Sequence, residues 1–216
     1  MRNPSWQIRL AWAGVALGLV LLIVQSFYTI PARMAEGGGF WRALVFYLSY
    51  FTSWAAILAV LVWFAHASAL PGLRTLAGPT ARTLVAGAML MLMGAHALLG
   101  PPVTPQGFER LLDLALHYLL PLLFLLWWLT GPHPVPLRWQ RMTVMLALPV
   151  GYAVWIVSRG LAIDRWPYSF MSLPAQGWGG LLANIVIMTA LFAFVYAALI
   201  AVSRVLHHSR RFGALH

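Results

Sequence analysis

The chain alternates long apolar runs with short polar breaks. Charged side chains are absent from Leu10–Ala32, Ala43–Leu73, Thr83–Phe108, Leu114–Leu137, Met142–Ser158 and Trp166–Ser203. An α-helix rises about 1.5 Å per residue, so about 20 apolar residues cross the hydrocarbon core of a bilayer. The pattern therefore predicts six membrane-spanning helices near Trp6–Ile30, Phe40–Ala67, Ala81–Gly100, Phe108–Thr130, Gln140–Gly160 and Trp178–Leu206. Pro31, the run Glu36-Gly37-Gly38-Gly39, Pro71-Gly72, Gly78-Pro79, Pro101-Pro102, Gly131-Pro132 and Pro174 fall between them, as turn-forming residues do. Pro121 and Pro149 fall inside spans and are expected to bend them. The first span is too long for a cleaved signal segment and is expected to be retained. No internal repeat is visible. The expected fold is all-α: one polytopic membrane domain over residues 1–216.

Composition agrees, with 62% hydrophobic and 8% charged residues among 216. A net charge of +10 would suggest nucleic acid in a soluble protein, but every cation is Arg and none forms a basic stripe. Membrane topology accounts for the charge instead. With six spans, one side carries Arg2, Arg9, Arg74, Arg82, Arg138, Arg141, Arg204, Arg210 and Arg211 with no acid. The other carries Arg33, Arg42, Arg110, Arg159 and Arg165 with all four acids, Glu36, Glu109, Asp113 and Asp164. Basic loops stay cytoplasmic, so both termini of this multi-pass protein are expected there. The partners implied are membrane lipids, not nucleic acid. The absence of cysteine excludes thiolate nucleophiles, disulfides and Cys-ligated metal.

A few polar residues interrupt the spans. His117 is ionisable and deep, which is costly in a membrane and marks a functional-site candidate. Thr52 lies about 18 Å and His117 about 13 Å down their helices from the same side, equal within the error of the boundaries. A hydroxyl and an imidazole at one depth form a minimal pair for nucleophilic catalysis if the helices touch. The bland reading of Thr52 is a bond to its own helix's carbonyl. Asp113 stands four residues before His117, on the same helix face. It either fixes the imidazole tautomer or simply favours the helix N-terminus. His96 reads as a packing histidine about 6 Å from its helix end. His66 reads as interfacial, Asn184 as a helix-to-helix amide, and His207 and His208 as part of a basic tail. Arg159 precedes a loop with Trp166, Tyr168 and Phe170, either an aromatic belt or a substrate-binding lid in which Arg159 holds a carboxylate.

Taken in order, YFTSW in the second span, HYLLPLLFLLWW in the fourth, SRGLAIDRWPYSFMSL after the fifth and GWGGLLANIV opening the sixth resemble the androgen-induced protein family of six-helix membrane proteins. The resemblance covers the second to sixth spans. It implies an intramembrane threonine hydrolase of fatty acid esters of hydroxy fatty acids, without cofactor or metal, with Thr52 as nucleophile and His117 as base. The chain departs from the pattern of bacterial relatives at Ala56, often Asn, at Trp127, often Asp, and in Arg165-Trp166-Pro167-Tyr168-Ser169-Phe170, usually closer to Trp-Tyr-Pro-Tyr-Pro-Phe. An oxyanion donor is needed, for which Tyr118, Asn184 and Trp54 are candidates. Two rival readings are a lipid or small-solute carrier and a b-type haem protein using His96 and His117, or His66. The estimated depths of His96 and His117 differ by about 7 Å, which suits one haem poorly.

Overall fold

The computed structural model describes residues 5–37, 39–100, 105–132 and 135–212. Arg2, Gly38, Pro101 and Pro102 lie outside them, as do the side chains of Arg210 and Arg211. The described residues form helices and turns with no strand. In chain order the helices are α1 (Ser5–Ala35), α2 (Phe40–Tyr47), α3 (Phe51–Ser68), α4 (Arg74–Ala77), α5 (Pro79–Leu99), α6 (Gly107–Leu114), α7 (Leu120–Thr130), α8 (Arg141–Ile163) and α9 (Leu173–Phe212). A π-helical turn, Ala115–Leu119, joins α6 to α7. Six segments are long and apolar enough to cross a membrane: α1, α3, α5, the continuous Gly107–Thr130, α8 and the greater part of α9. The protein is a multi-pass, all-α membrane protein.

α1 packs on α3 and α7, and α5 packs on α3, α7 and α9, while α8 pairs with α9. The main core lies among α1, α3, α5 and α7, around the fully buried Trp63, Met89, Phe124 and Trp127. Lipid gives helices no hydrophobic reason to associate, so close backbone approach has to supply the attraction. Gly14 and Gly18 supply it on α1. A Cβ added at Gly14 would sit 2.5 Å from the Trp63 ring, and one at Gly18 2.5 Å from Val60. Large apolar side chains such as Phe27, Val154 and Phe194 point outward, onto the surface a bilayer would cover.

The spans expected from the pattern are present, with ends shifted by a few residues. Three interiors differ. The second span is broken between α2 and α3, where Tyr50 is extended (φ −84°, ψ 136°). Three of the freed carbonyls are satisfied from side chains. Ser53 Oγ donates to the carbonyl of Tyr47 at 2.8 Å, Trp54 Nε1 to Leu48 at 2.9 Å, and Tyr152 Oη to Ser49 at 2.8 Å. A non-helical stretch at membrane depth persists only with such partners. The fourth span contains the π turn. Pro121 has no N–H to donate to the carbonyl of His117, and the ladder widens so that Leu120 N–H bonds Ala115 instead. The sixth span has a non-helical residue near its start, Gly177 (φ 64°), a backbone state that L side chains rarely adopt.

Candidate functional site

Two of the three irregular segments carry the two residues singled out from the sequence. The break places Thr52 in the first turn of α3, and the π turn carries His117. The helices do meet: Thr52 Oγ1 lies 3.1 Å from His117 Nε2. His117 Nδ1 lies 2.9 Å from the main-chain oxygen of Asp113 and 3.0 Å from its Oδ1. A carbonyl oxygen can only accept, so Nδ1 carries the proton. When the ring is neutral, Nε2 holds a lone pair and Thr52 donates to it. This is the tautomer a general base requires.

The network extends further than the sequence indicated. His96 Nε2 lies 2.9 Å from Asp113 Oδ2, and its Nδ1 lies 3.0 Å from the Tyr118 hydroxyl. The carboxylate accepts, so His96 carries a proton on Nε2; when that ring is neutral, the Tyr118 O–H donates to Nδ1. The His96 and His117 rings stack with centroids 4.1 Å apart and planes 22° apart. His96 is thus part of this cluster rather than a separate packing residue. Its depth was underestimated because each depth was counted from its own helix end, and helix ends share no common plane. The one sequence signal was an imidazole inside an apolar span.

His96, Asp113 and His117 also place three donor atoms within 4.8 Å of one another, a composition that suits a divalent cation. Imidazole lone pairs lie in the ring plane, however, and two nearly parallel stacked rings do not aim them at one intervening point. The observed geometry is that of hydrogen bonds. The same stacking opposes axial ligation of one haem by this pair, which needs the rings on opposite faces of the porphyrin.

Thr52 and His117 line a cavity of about 1120 Å³ that extends to Arg33, Glu36, Trp166 and Tyr168. Arg33 binds Glu36 at 2.7 Å and lies 3.7 Å over the Phe46 ring. Arg159 is buried and does not line this cavity; its guanidinium donates to the carbonyl of Arg165 at 2.9 Å. Of the residues expected to meet substrate, Trp166 and Tyr168 do line it. Tyr168 accepts the N–H of Phe51 at 3.1 Å, tying the loop to the start of α3. Burial raises the pKa of this hydroxyl and keeps it protonated.

The three side chains named as oxyanion donors are engaged elsewhere. Tyr118 serves His96, Trp54 bonds the Leu48 carbonyl, and Asn184 Nδ2 bonds the Phe170 carbonyl at 2.8 Å. Asn184 therefore holds the loop rather than a neighbouring helix. A helix start supplies backbone donors instead. The Phe51 amide is taken by Tyr168 and the Ser53 amide by the carbonyl of Tyr50. Among the described residues, the Thr52 amide has no such partner in that turn. His66, expected at the interface, is buried with its ring edge-on to Trp127 at 4.9 Å. Of the departures from the resembled pattern, Ala56 and Trp127 are both fully buried in the core and do not line the cavity. The Trp127 indole donates to the carbonyl of Gln7 at 3.2 Å. Searches among protein-family models, curated proteins and solved structures found no match to this chain.

Proposed function

We propose that this protein is an intramembrane hydrolase of lipid esters, with Thr52 as nucleophile and His117 as general base. The observation that carries the reading is the 3.1 Å separation of Thr52 Oγ1 from His117 Nε2 beside a large cavity. In the reaction, His117 takes the hydroxyl proton as Oγ1 attacks the ester carbonyl. The oxyanion faces the first turn of α3, where the Thr52 amide and the helix dipole oppose its charge. Collapse breaks the carbon–oxygen bond to the alcohol, which receives the proton from His117 Nε2. Water, deprotonated by the same nitrogen, then hydrolyses the acyl-threonine and regenerates the hydroxyl.

The resemblance to the androgen-induced protein family suggests fatty acid esters of hydroxy fatty acids as the substrate class. A free carboxylate on such a substrate fits Arg33 better than Arg159, because Arg33 lines the cavity and can exchange Glu36 for the incoming anion. The charge asymmetry supports cytoplasmic termini with the Arg33 end of the cavity on the opposite side, and the proposed setting is a bacterial inner membrane. Lipid ester enters from the bilayer and no cofactor takes part.

The test is hydrolysis of a long-chain acyl ester, with labelling by a fluorophosphonate probe. Thr52→Ala and His117→Ala should each lose turnover by at least about a hundredfold and lose labelling while keeping a folded elution profile. Wild-type turnover in Thr52→Ala rules the reading out.

A further inference from the structure

We propose that His96 is a positioning residue for the hydrolase, holding the Asp113 carboxylate against His117; the inference rests on the function proposed above. Asp113 sits at the end of α6, partly exposed beside the cavity, where a carboxylate on its own would turn toward water. Its two oxygens face two different imidazoles. Oδ1 lies 3.0 Å from His117 Nδ1 and Oδ2 lies 2.9 Å from His96 Nε2. His96 is itself held on three sides: by Asp113, by the Tyr118 hydroxyl on Nδ1, and by the stacked face of His117. All three groups belong to the segment from α6 through the π turn, whereas His96 comes from α5. It therefore fastens the base-bearing segment to a separate helix.

The chemical consequence follows from the proton count. When the Thr52 O–H bond breaks, its proton moves to His117 Nε2 and the ring becomes an imidazolium. The Nδ1–H stays shared between the main-chain oxygen and Oδ1 of Asp113. No proton leaves His96; its N–H keeps the carboxylate aimed at the new positive charge. Without that N–H, Oδ2 turns to water and the counter-charge moves off. His96 itself lines the cavity, but Phe keeps a ring there and the reacting Thr52 Oγ1 and His117 Nε2 are unchanged, so the defect falls mainly on turnover rather than binding.

The experiment measures kcat and KM with a long-chain acyl ester for wild type, His96→Phe, His96→Gln, Asp113→Asn and the His96→Phe/Asp113→Asn pair, with thermal unfolding as the check on folding. His96→Phe keeps a ring but loses the N–H, and should lower kcat by about tenfold with KM changed less than about twofold. His96→Gln restores an N–H toward Asp113 and should recover most of the loss. The double variant should be no slower than Asp113→Asn, because both substitutions act on one carboxylate. If His96→Phe does not fold, Tyr118→Phe, which releases His96 Nδ1, should show the same kcat-only loss on a smaller scale. Wild-type kcat in His96→Phe, no rescue by Gln, or losses that multiply in the double variant overturn the proposal and leave the hydrolase reading standing. Loss of activity on chelation that zinc restores overturns it in favour of a metal site. An inactive wild type removes both.

Discussion

A threonine hydroxyl is a weak nucleophile, and what distinguishes Thr52 is the state of the imidazole beside it. His117 Nδ1 faces both the carbonyl of Asp113 at 2.9 Å and its Oδ1 at 3.0 Å, so a backbone acceptor for the Nδ1 proton remains when the side chain is changed. Asp113→Asn should therefore slow turnover by about tenfold to a hundredfold, well short of the roughly 10⁴-fold loss in a triad where the carboxylate alone fixes the tautomer. Steady-state kinetics on the purified variant checks this. A loss near 10⁴-fold would assign the tautomer to the side chain. Arg33→Ala should raise KM by about tenfold for esters that carry a free carboxylate, the worth of one charge-assisted contact. It should leave neutral esters unaffected, and equal effects on both would remove Arg33 from substrate recognition. Candidate chemistry at this scale was legible in Thr52, His117 and Asp113, because a polar residue in an apolar span stands out. The contact of His96 with His117 was not, because a ring contact between helices leaves no trace in spacing along either one.

At the scale of elements, the proposed chemistry depends on two departures from a regular helix. The break before α3 turns Thr52 from a mid-helix residue into a first-turn residue, and the π turn reshapes the segment that carries His117. The π turn has a signal in Pro121, whose missing N–H must be accommodated somewhere. The break has none of the usual punctuation, since Leu48-Ser49-Tyr50 contains neither Gly nor Pro. It is held by side chains that answer the freed carbonyls. Trp54→Phe should then leave the Leu48 carbonyl without its donor and lower stability by about 1–3 kcal/mol, as should Tyr168→Phe at the Phe51 amide. Thermal or denaturant unfolding in detergent measures both, and unchanged stability in both variants would mean that water or a shifted backbone takes over these bonds.

Across the whole molecule, assembly rests on close approach rather than on hydrophobic exclusion. Gly14 and Gly18 let α1 lie against Trp63 and Val60 of α3. Gly14→Leu has no room and should destabilise the fold by about 1–3 kcal/mol or force α1 away from α3. Unfolding measurements, together with a cysteine pair placed across α1 and α3, would detect either outcome; native stability and native cross-linking would refute the packing argument. The amino-acid sequence by itself determined the all-α class, the number of spans and their approximate ends, because the cost of exposing a polar backbone or a charge to hydrocarbon acts on each segment separately. It also marked Thr52 and His117, because polar groups in hydrocarbon are rare for the same reason. Only the tertiary structure decided that they meet, that Asp113 and His96 stand behind them, and that Arg33 rather than Arg159 reaches the cavity. Those outcomes depend on how helices tilt, break and approach one another, and that is set by packing between segments distant in the chain.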